Sequence, residues 1–354
     1  MPELTVAAAG ARALWELAVS KGAGRRALAE RARIDPSELQ DPDGRIPLPK
    51  YVALMRAGKE LCGDPAFALH FGEEVDFADL SVVGLIGRAS ENWVESFAQL
   101  NRYSRLVIEV EVEGDGADRF QLRRSGGQLW MVDARRNPND FPELTESSFA
   151  RMVCTSRRWL GETQFVRAVH FTHPEPPYRA EYDRIFQLPL VFGSDKNALL
   201  TDEAWMTHRN TLASPYALGV LSAHAETLLR SLESSKTTRG RVEGLLTPML
   251  HTGEAGIDAV AGKLGVSRQT LFRRLKAEGV TFEKVLDELR HKLALHYLTG
   301  KHASVNETAY LVGFSDPAAF SRAFKRWTGS SPRAALAPKL DDDRAAFQTP
   351  PTTR

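Results

Sequence analysis

Two segments near the end of the chain place basic, polar and apolar residues in the same order. Residues 257–279 read IDAVAGKLGVSRQTLFRRLKAEG, and residues 305–329 read VNETAYLVGFSDPAAFSRAFKRWTG. Each has a small residue, a glycine, a serine and then an apolar-x-Arg-x-apolar-Lys run. Arginine and lysine bind phosphates, and arginine also binds the edges of bases, so the repeated pattern indicates recognition of nucleic acid.

The first half of each copy has the properties that a helix-turn-helix unit needs. In such a unit two helices pack at a steep angle through a turn of three to four residues. Ala261 and Ala309 are small enough to let the helices approach closely. Gly265 and Gly313 tolerate the positive φ angle that the turn requires.

The second helix of each unit is predicted to start at a cap and to bury one apolar stripe. Ser267 and Ser315 can accept a hydrogen bond from the free amides of the helix start. The inward-facing residues, spaced i and i+4, are predicted to be Leu271, Leu275, Phe320 and Phe324. The residues left pointing outward are Gln269, Phe272, Arg273, Pro317, Ala318 and Arg322.

A continuous amphipathic segment joins the two copies. It reads FEKVLDELRHKLALHYLTG over residues 282–300 and is expected to be a helix that ends at Gly300. Its body, from Phe282 to Leu298, would be about 25 Å long at a rise of about 1.5 Å per residue. A rod of that length can hold two recognition helices about one DNA turn apart, roughly 34 Å, so one chain could enter two successive major grooves.

Charge is distributed unevenly along the 354 residues, although the whole chain has a net charge of only +1. Residues 237–340 contain 16 Lys and Arg against 9 Asp and Glu, a net charge of +7. Residues 1–236 contain 28 against 33, a net charge of −5. A basic C-terminal part joined to an acidic part is typical of a nucleic-acid-binding domain fused to a domain with another task.

The first 210 residues show a mixture of helical and strand patterns. Apolar residues at helical spacing predict helices within 25–71, 91–107 and 143–160. The alternating run at 108–114, followed by FQLRR (120–124) and QLWMVDA (128–134), predicts a small antiparallel sheet, and two more strand-like segments lie at 164–173 and 188–194. One helical face, Trp93, Phe97, Leu100 and Tyr103, either lines a ligand pocket or belongs to the core, and the core is the favoured interpretation.

From Tyr216 onward the strand signals stop. The polar stretch 231–241 is expected to form a linker or hinge. We predict an α+β effector or dimerisation domain over 1–225, made of helices and a small antiparallel sheet, and a linker helix and hinge over 226–240. An all-α domain with two helix-turn-helix motifs joined by a long helix is predicted over 241–336, and a disordered tail over 337–354.

Residues 253–333 resemble the DNA-binding domain of the AraC/XylS family of bacterial transcription activators. The segment AYLVGFSDPAAFSRAFKRWTGSSPRA (309–334) is similar to the signature of that family. More loosely, residues 25–210 resemble the arabinose-binding-type effector or dimerisation domain of one branch of the family. The segments that carry this second likeness are DPDGRIPLPKYVALM, DPAFALHFGE and LSVVGLIGRASENWVESFAQLNRYSRLV.

The resemblance implies that the second helix of each motif lies in the major groove. The base-facing residues would then be Gln269, Phe272, Arg273, Pro317, Ala318 and Arg322, and the residues suited to phosphates would be Ser267, Arg268, Lys276, Ser315 and Lys325. Pro317 and Ala318 can contact only thymine methyl groups. The first motif, together with Arg322, is therefore expected to give most of the base specificity.

These observations predict a cytoplasmic transcription regulator that acts as an activator and is not an enzyme. Its partners would be double-stranded promoter DNA, RNA polymerase, a small-molecule effector of unknown identity and a second copy of itself. No cofactor, metal site or membrane segment is expected. A repressor or a ligand-independent regulator remains an alternative, and a cysteine-based alkyl-transfer sensor, using Cys62 or Cys154, is less favoured because neither cysteine has a partner histidine at recognisable spacing.

Overall fold

The computed structural model describes residues 3–114, 118–160, 165–203, 206, 208–299 and 303–336. It separates two compact units, Met1–Leu232 and Glu233–Arg354. The expected tail over 337–354, Gly300 at the expected end of the long helix, and Gln164 at the start of one predicted strand lie outside the described residues.

The helices of the N-terminal unit form because apolar residues recur along each at a spacing that gives one buried face. At the centre of one core cluster, the Phe171 ring contacts the rings of Phe149, Tyr182 and Phe186 at centroid distances of 5.3–5.8 Å. The helices are α1 Ala8–Ser20, α2 Arg25–Ala32, α3 Leu48–Leu61, α4 Phe67–Glu74, α5 Phe77–Leu80, α6 Val82–Ala89, α7 Trp93–Val107, α8 Pro142–Leu160, α9 Arg179–Phe186 and α10 Pro215–Ser235.

The same unit contains two sheets. The strands are β1 Thr5–Ala7, β2 Arg45–Pro47, β3 Phe120–Ser125, β4 Gln128–Asp133, β5 Val166–His170, β6 Leu190–Val191 and β7 Ala198–Thr201. β1 and β2 form an antiparallel pair, and the other sheet has the strand order β3-β4-β7-β5-β6. The predicted α+β class is confirmed, but the larger sheet is mixed because β6 pairs in parallel with β5.

The strand predicted at 108–114 is wrong. Ile108 and Val112 form only isolated bridges, with Val6 and Arg135 respectively. The alternation IEVEVEG suggested that the glutamates face solvent, but Glu109 is buried. Its Oε2 accepts a hydrogen bond of 2.9 Å from the Thr5 hydroxyl, which lies far away in the sequence.

The polar stretch expected to be a linker, 231–241, is largely helical. α10 continues to Ser235, and α11 begins at Thr238. The Thr237 side chain caps α11 by accepting a 2.9 Å hydrogen bond from the Gly240 amide. The Glu278 carboxylate accepts further hydrogen bonds from the amides of Thr238 (2.6 Å) and Arg239 (2.9 Å), so the start of the helix is held by polar contacts that hydrophobic periodicity does not reveal.

The C-terminal unit is all-α in its described part, as predicted. Its helices after the end of α10 are α11 Thr238–Leu246, α12 Ile257–Lys263, α13 Arg268–Ala277, α14 Phe282–Thr299, α15 Val305–Leu311, α16 Pro317–Thr328 and α17 Pro332–Leu336. A short 3-10 helix, Thr247–Thr252, follows α11. Two separate hydrophobic clusters lie within the unit, one around α13 and one around α16.

Candidate nucleic-acid interface

The first predicted turn forms between α12 and α13. Gly265 has φ 66°, in the left-handed region that favours glycine. The Val266 amide donates a 3.0 Å hydrogen bond to the Ala261 carbonyl, which closes the turn. Ser267 caps α13, and its side chain accepts a hydrogen bond of 3.2 Å from the Thr270 amide. The glycine and the cap are therefore confirmed.

The second turn, between α15 and α16, has the same glycine but a different cap. Gly313 has φ 82°, and the Phe314 amide donates to the Ala309 carbonyl at 2.9 Å. The predicted cap, Ser315, is wrong, because α16 begins one residue later. Asp316 caps the helix instead and accepts 3.0 Å hydrogen bonds from the amides of residues 318 and 319.

The reason for this change is the extra residue in the second copy. Pro317 occupies the first helical position, where proline is favoured because its missing N–H would have no partner there. An aspartate directly before such a proline is a recognisable cap signal. Asp316 could thus have been identified from the sequence.

The residues predicted to face inward are confirmed. Leu271 and Leu275 in α13, and Phe320 and Phe324 in α16, are at most 1% exposed. The small residues Ala261 and Ala309 are also buried, as close packing of the two helices requires. In each motif one face of the second helix is buried, and the opposite face is left on the surface.

One helix belongs to both motifs. The N-terminal half of α14 packs Val285 and Leu289 into the first hydrophobic cluster, and its C-terminal half packs Ala294 and Leu298 into the second. With 18 residues, α14 is about 27 Å long at a rise of about 1.5 Å per residue. The predicted rod between the two motifs is therefore present.

Polar contacts fix the second motif to this rod. The Arg290 guanidinium donates to the carbonyls of Val312 (3.1 Å) and Gly313 (3.2 Å) in the turn. The Asp287 carboxylate accepts 2.8 Å hydrogen bonds from the Arg326 guanidinium and from the Trp327 indole. Sequence reasoning missed Asp287 and Arg290 because their partners lie more than 20 positions away.

Most of the predicted base-facing residues lie on the exposed faces of α13 and α16. Gln269, Arg273, Ala318 and Arg322 are exposed, and the Phe272 side chain is 52% exposed although it is apolar. Pro317, the remaining member of that set, is half-buried. The Arg322 guanidinium lies 3.9 Å from the Asp316 carboxylate, whereas no polar partner of Arg273 is seen in the described part of the chain.

The predicted phosphate-contacting residues are all exposed, namely Ser267, Arg268, Lys276, Ser315 and Lys325. The Arg268 guanidinium forms an ion pair of 3.2 Å with the Asp258 carboxylate. Both side chains are mostly exposed, so this pair is weak and can open to admit a phosphate. The Arg326 guanidinium instead holds the Asp287 carboxylate at 2.8 Å, so Arg326 is engaged within the protein.

A cavity of about 380 Å³ lies inside the N-terminal unit. Trp93, Phe97 and Phe165 line it, and the Trp93 ring is 5.1 Å from the Phe97 ring and 4.9 Å from the Phe165 ring. The aromatic residues of α7 are thus divided between the two predicted roles, lining a pocket and filling the core. Trp93 and Phe97 line the cavity, whereas Tyr103 is buried and donates a 3.0 Å hydrogen bond to the Glu226 carboxylate.

The described residues were also considered as possible metal ligands and membrane-spanning helices. Across the described residues, no group of three or more histidine, cysteine or acidic side chains is placed to hold a metal ion. The described helices also include none with the length and apolar character needed to cross a membrane.

Two family models match the chain. The arabinose-binding domain of AraC transcription regulators matches residues 22–210, and a helix-turn-helix domain matches residues 260–337. The first covers most of the N-terminal unit, and the second covers the two helix-turn-helix motifs except for the start of α12.

Two of the individual proteins that the chain resembles are similar over nearly the full length, and a third over a shorter segment. An uncharacterized HTH-type transcriptional regulator of Mycobacterium tuberculosis is 38% identical over 334 residues, 91% of this chain and 93% of that protein. The ornithine utilization regulator of Pseudomonas aeruginosa is 28% identical over 329 residues, 92% of this chain and 95% of that protein. The transcriptional activator RhaS of Escherichia coli is 44% identical over 81 residues, 23% of this chain and 29% of that protein.

Proposed function

Because the chain belongs to the AraC family of DNA-binding transcription regulators, we propose that it activates a promoter by placing α13 and α16 in two successive major grooves. The observation that carries this proposal is the shared helix α14. It anchors both motifs, while the exposed faces of α13 and α16 carry basic and polar side chains.

The proposal assigns different work to the two recognition helices. Gln269 and Arg273 would form bidentate hydrogen bonds to adenine and guanine, and Phe272 would contact thymine methyl groups. In α16, Arg322 would read a base, while Pro317 and Ala318 would add only apolar contacts. Ser267, Arg268, Lys276, Ser315 and Lys325 would bind phosphates and set the register of the protein on the duplex.

A footprint of the full chain on the promoter that it binds tests the geometry. Hydroxyl-radical cleavage should show two protected patches about one helical turn apart on the same face of the DNA. The affinity should fall steeply as salt rises, since basic side chains displace counterions from phosphates. One protected patch, or two patches on opposite faces, would contradict the proposed arrangement.

Substitution of Arg273 should affect specificity, whereas substitution of Lys325 should affect affinity alone. Arg273→Ala should weaken discrimination at one base position by about 1–3 kcal/mol, because a bidentate contact is lost. Lys325→Ala should weaken binding to all sequences alike and lower the salt slope by about one. Competition binding against a library of single-base variants measures both effects.

The control for this pair is Lys284→Ala, which removes an exposed lysine from α14 outside both recognition helices. It should leave both affinity and base preference close to those of the unchanged protein. If Arg273→Ala lowers binding to all sequences equally, then Arg273 binds phosphate and the assignment of its role is wrong.

We also propose that the N-terminal unit controls DNA binding through a small molecule held in the cavity, through dimerisation, or through both. A ligand can shift the equilibrium between a DNA-binding state and a non-binding state of the protein only by the difference between its affinities for them. The cavity volume is within the usual range for small-molecule sites, which supports a ligand. Light scattering of the full chain with and without ligand would show whether a homodimer forms.

The proposed sign of regulation is activation, through contact with RNA polymerase, and the printed name of RhaS supports it. A promoter fusion tests the sign directly. Deleting the regulator should lower reporter expression, whereas a rise would identify a repressor. Unchanged expression across candidate effectors would identify a ligand-independent regulator.

The alternative of a cysteine-based alkyl-transfer sensor finds no support in the environments of the two thiols. Burial raises the pKa of Cys62 and of Cys154 above the ordinary value, and nearby arginines do not reverse the shift at Cys154. Alkyl transfer requires a thiolate, which a raised pKa disfavours.

A further inference from the structure

The cavity of the N-terminal unit is lined by aromatic rings and by polar side chains. Trp93, Phe97 and Phe165 form its aromatic side, where their rings lie against one another. Among the polar lining residues, α8 contributes Arg151 and, one turn later, Thr155. A ligand with an apolar body and one strongly polar group would use both kinds of lining.

Arg151 is a partly buried arginine that forms no ion pair with a described residue. Its Nε donates a 3.3 Å hydrogen bond to the Val75 carbonyl, and its guanidinium lies 4.9 Å from the centre of the Phe71 ring. Its Nη2 is inaccessible to solvent and has no hydrogen-bond partner within the described chain. A charged group with an atom closed off from solvent is normally paired.

The charge of Arg151 persists at neutral pH. Burial lowers the pKa of Arg151 to about 10; Tyr51 and Asp76 act to raise it, and Arg119 and Arg158 act to lower it. A pKa of about 10 still leaves the guanidinium protonated near pH 7. The cavity wall therefore contains a positive charge that no ion pair among the described residues neutralises.

A second arginine of the cavity wall, Arg119, adds to this positive charge. The Arg119 guanidinium donates to both oxygens of Asp133, at 3.1 and 3.0 Å, but Asp133 also accepts a hydrogen bond of 3.2 Å from Arg135. One carboxylate thus serves two buried guanidinium groups. The Oγ1 atom of Thr155, which also lines the cavity, has no hydrogen-bond partner among the described residues.

We propose that this cavity binds a small monocarboxylic acid with an apolar body, its carboxylate beside the Arg151 guanidinium and its body against Trp93 and Phe97. The inference rests on the proposed effector function and names the class of effector. The carboxylate supplies the missing counterion, and the aromatic side removes the apolar body from water.

Calorimetric titration of the full chain with two matched pairs of probes tests the charge requirement. The pairs are decanoate with decanamide, and 3-phenylpropionate with 3-phenylpropionamide, which differ mainly in charge. At least one acid should bind about tenfold to a hundredfold more tightly than its amide, as expected for a charge-assisted hydrogen bond. Equal affinities within both pairs, or no binding of either acid, would overturn the proposal.

Variants of the full chain assign the preference to Arg151. Arg151→Met should abolish the preference for the acid, and Arg151→Lys should keep much of it because the charge remains. The control is Arg123→Met, which removes an exposed arginine of β3 that does not line the cavity and should leave the acid-to-amide ratio unchanged. If Arg151 served only to stabilise the fold, Arg151→Met would lower the melting temperature and leave the acid-to-amide ratio intact.

A footprint with and without the acid that binds separates this inference from the proposed function. Acid binding without any change in DNA protection would support the ligand class and contradict the effector role. If another compound changed the DNA protection by the protein while neither acid bound, the result would support the effector role and contradict the ligand class.

Discussion

Replacing Asp133 with asparagine should destabilise the N-terminal unit by about 3–5 kcal/mol, the loss that follows when one partner of a buried ion pair is removed. The Asp133 side chain is fully buried, and it accepts hydrogen bonds from both Arg119 and Arg135. Asparagine keeps the shape but leaves two buried guanidinium groups without a counterion. Hydrogen exchange of peptides that cover β3 and β4, measured by mass spectrometry in increasing urea, gives the change in free energy of opening.

The matched control is Glu203→Gln. Glu203 pairs with Arg124 of β3, but both side chains are largely exposed. Removing such a surface pair should cost no more than about 1 kcal/mol. If Asp133→Asn and Glu203→Gln had equally small effects, then the buried cluster would contribute no more than an exposed pair.

The Asp133 cluster also predicts how stability depends on pH. Burial acts to raise the pKa of Asp133, but the charges and hydrogen bonds of Arg119 and Arg135 outweigh burial and leave that pKa below its ordinary value. A carboxyl group with a lowered pKa contributes stability above its unfolded pKa, near 3.9, and loses it as pH falls through the folded value. At pH values below about 4, the melting temperature of the N-terminal unit should therefore fall as the pH is lowered. The fall should be less steep in Asp133→Asn.

Gly313→Ala should remove the second motif from the DNA while leaving the first in place. Gly313 has φ 82°, and a Cβ atom there would lie 2.6 Å from the Leu250 carbonyl oxygen. Strain at a positive φ and overpacking each cost on the order of 1–3 kcal/mol, so the second motif should lose at least about 2 kcal/mol. Hydroxyl-radical footprinting of the full chain should then show one protected patch in place of two.

The repeat itself provides the control for this substitution. Gly265 has φ 66° at the equivalent place in the first motif, but a Cβ atom there would meet nothing within 4 Å. Gly265→Ala should therefore cost only about 1 kcal/mol and keep both patches. Equal losses in the two variants would show that backbone strain, and not the contact with Leu250, determines the effect.

The C-terminal unit could be predicted in detail because short-range chemistry determines it. A turn glycine, a cap and an i, i+4 apolar stripe lie within about twenty residues of one another, and all recur. The error at Ser315 arose from the one place where the copies differ in length. There Asp316 caps α16 and Pro317 occupies its first helical position. This start of the helix is recognisable from the sequence once the proline is considered.

The N-terminal unit was less predictable because distant residues decide its strands. β7 lies between β4 and β5 in the sheet although it follows both in sequence. β1 pairs with β2, which lies about forty residues further along the chain. Alternation of apolar and charged residues misled at 108–114, because the buried Glu109 is satisfied by Thr5 rather than by water.

The cavity could not have been identified from spacing alone. A stripe at helical spacing places Trp93 and Phe97 on one face of α7, but that spacing is the same for side chains that fill a core and for side chains that surround a space. The distinguishing feature is the Nη2 atom of Arg151, which has no hydrogen-bond partner among the described residues, and this is visible only in three dimensions.

The sharing of α14 by both motifs limits how this regulator can evolve. Inserting a single residue into α14 would turn everything beyond it by about 100° and shift it by about 1.5 Å. In the proposed complex, the far motif would then face away from its groove, whatever its side chains. If that arrangement holds, new target sequences are accessible through substitutions on the outer faces of α13 and α16, whereas the phase between the two half-sites in the operator stays constant.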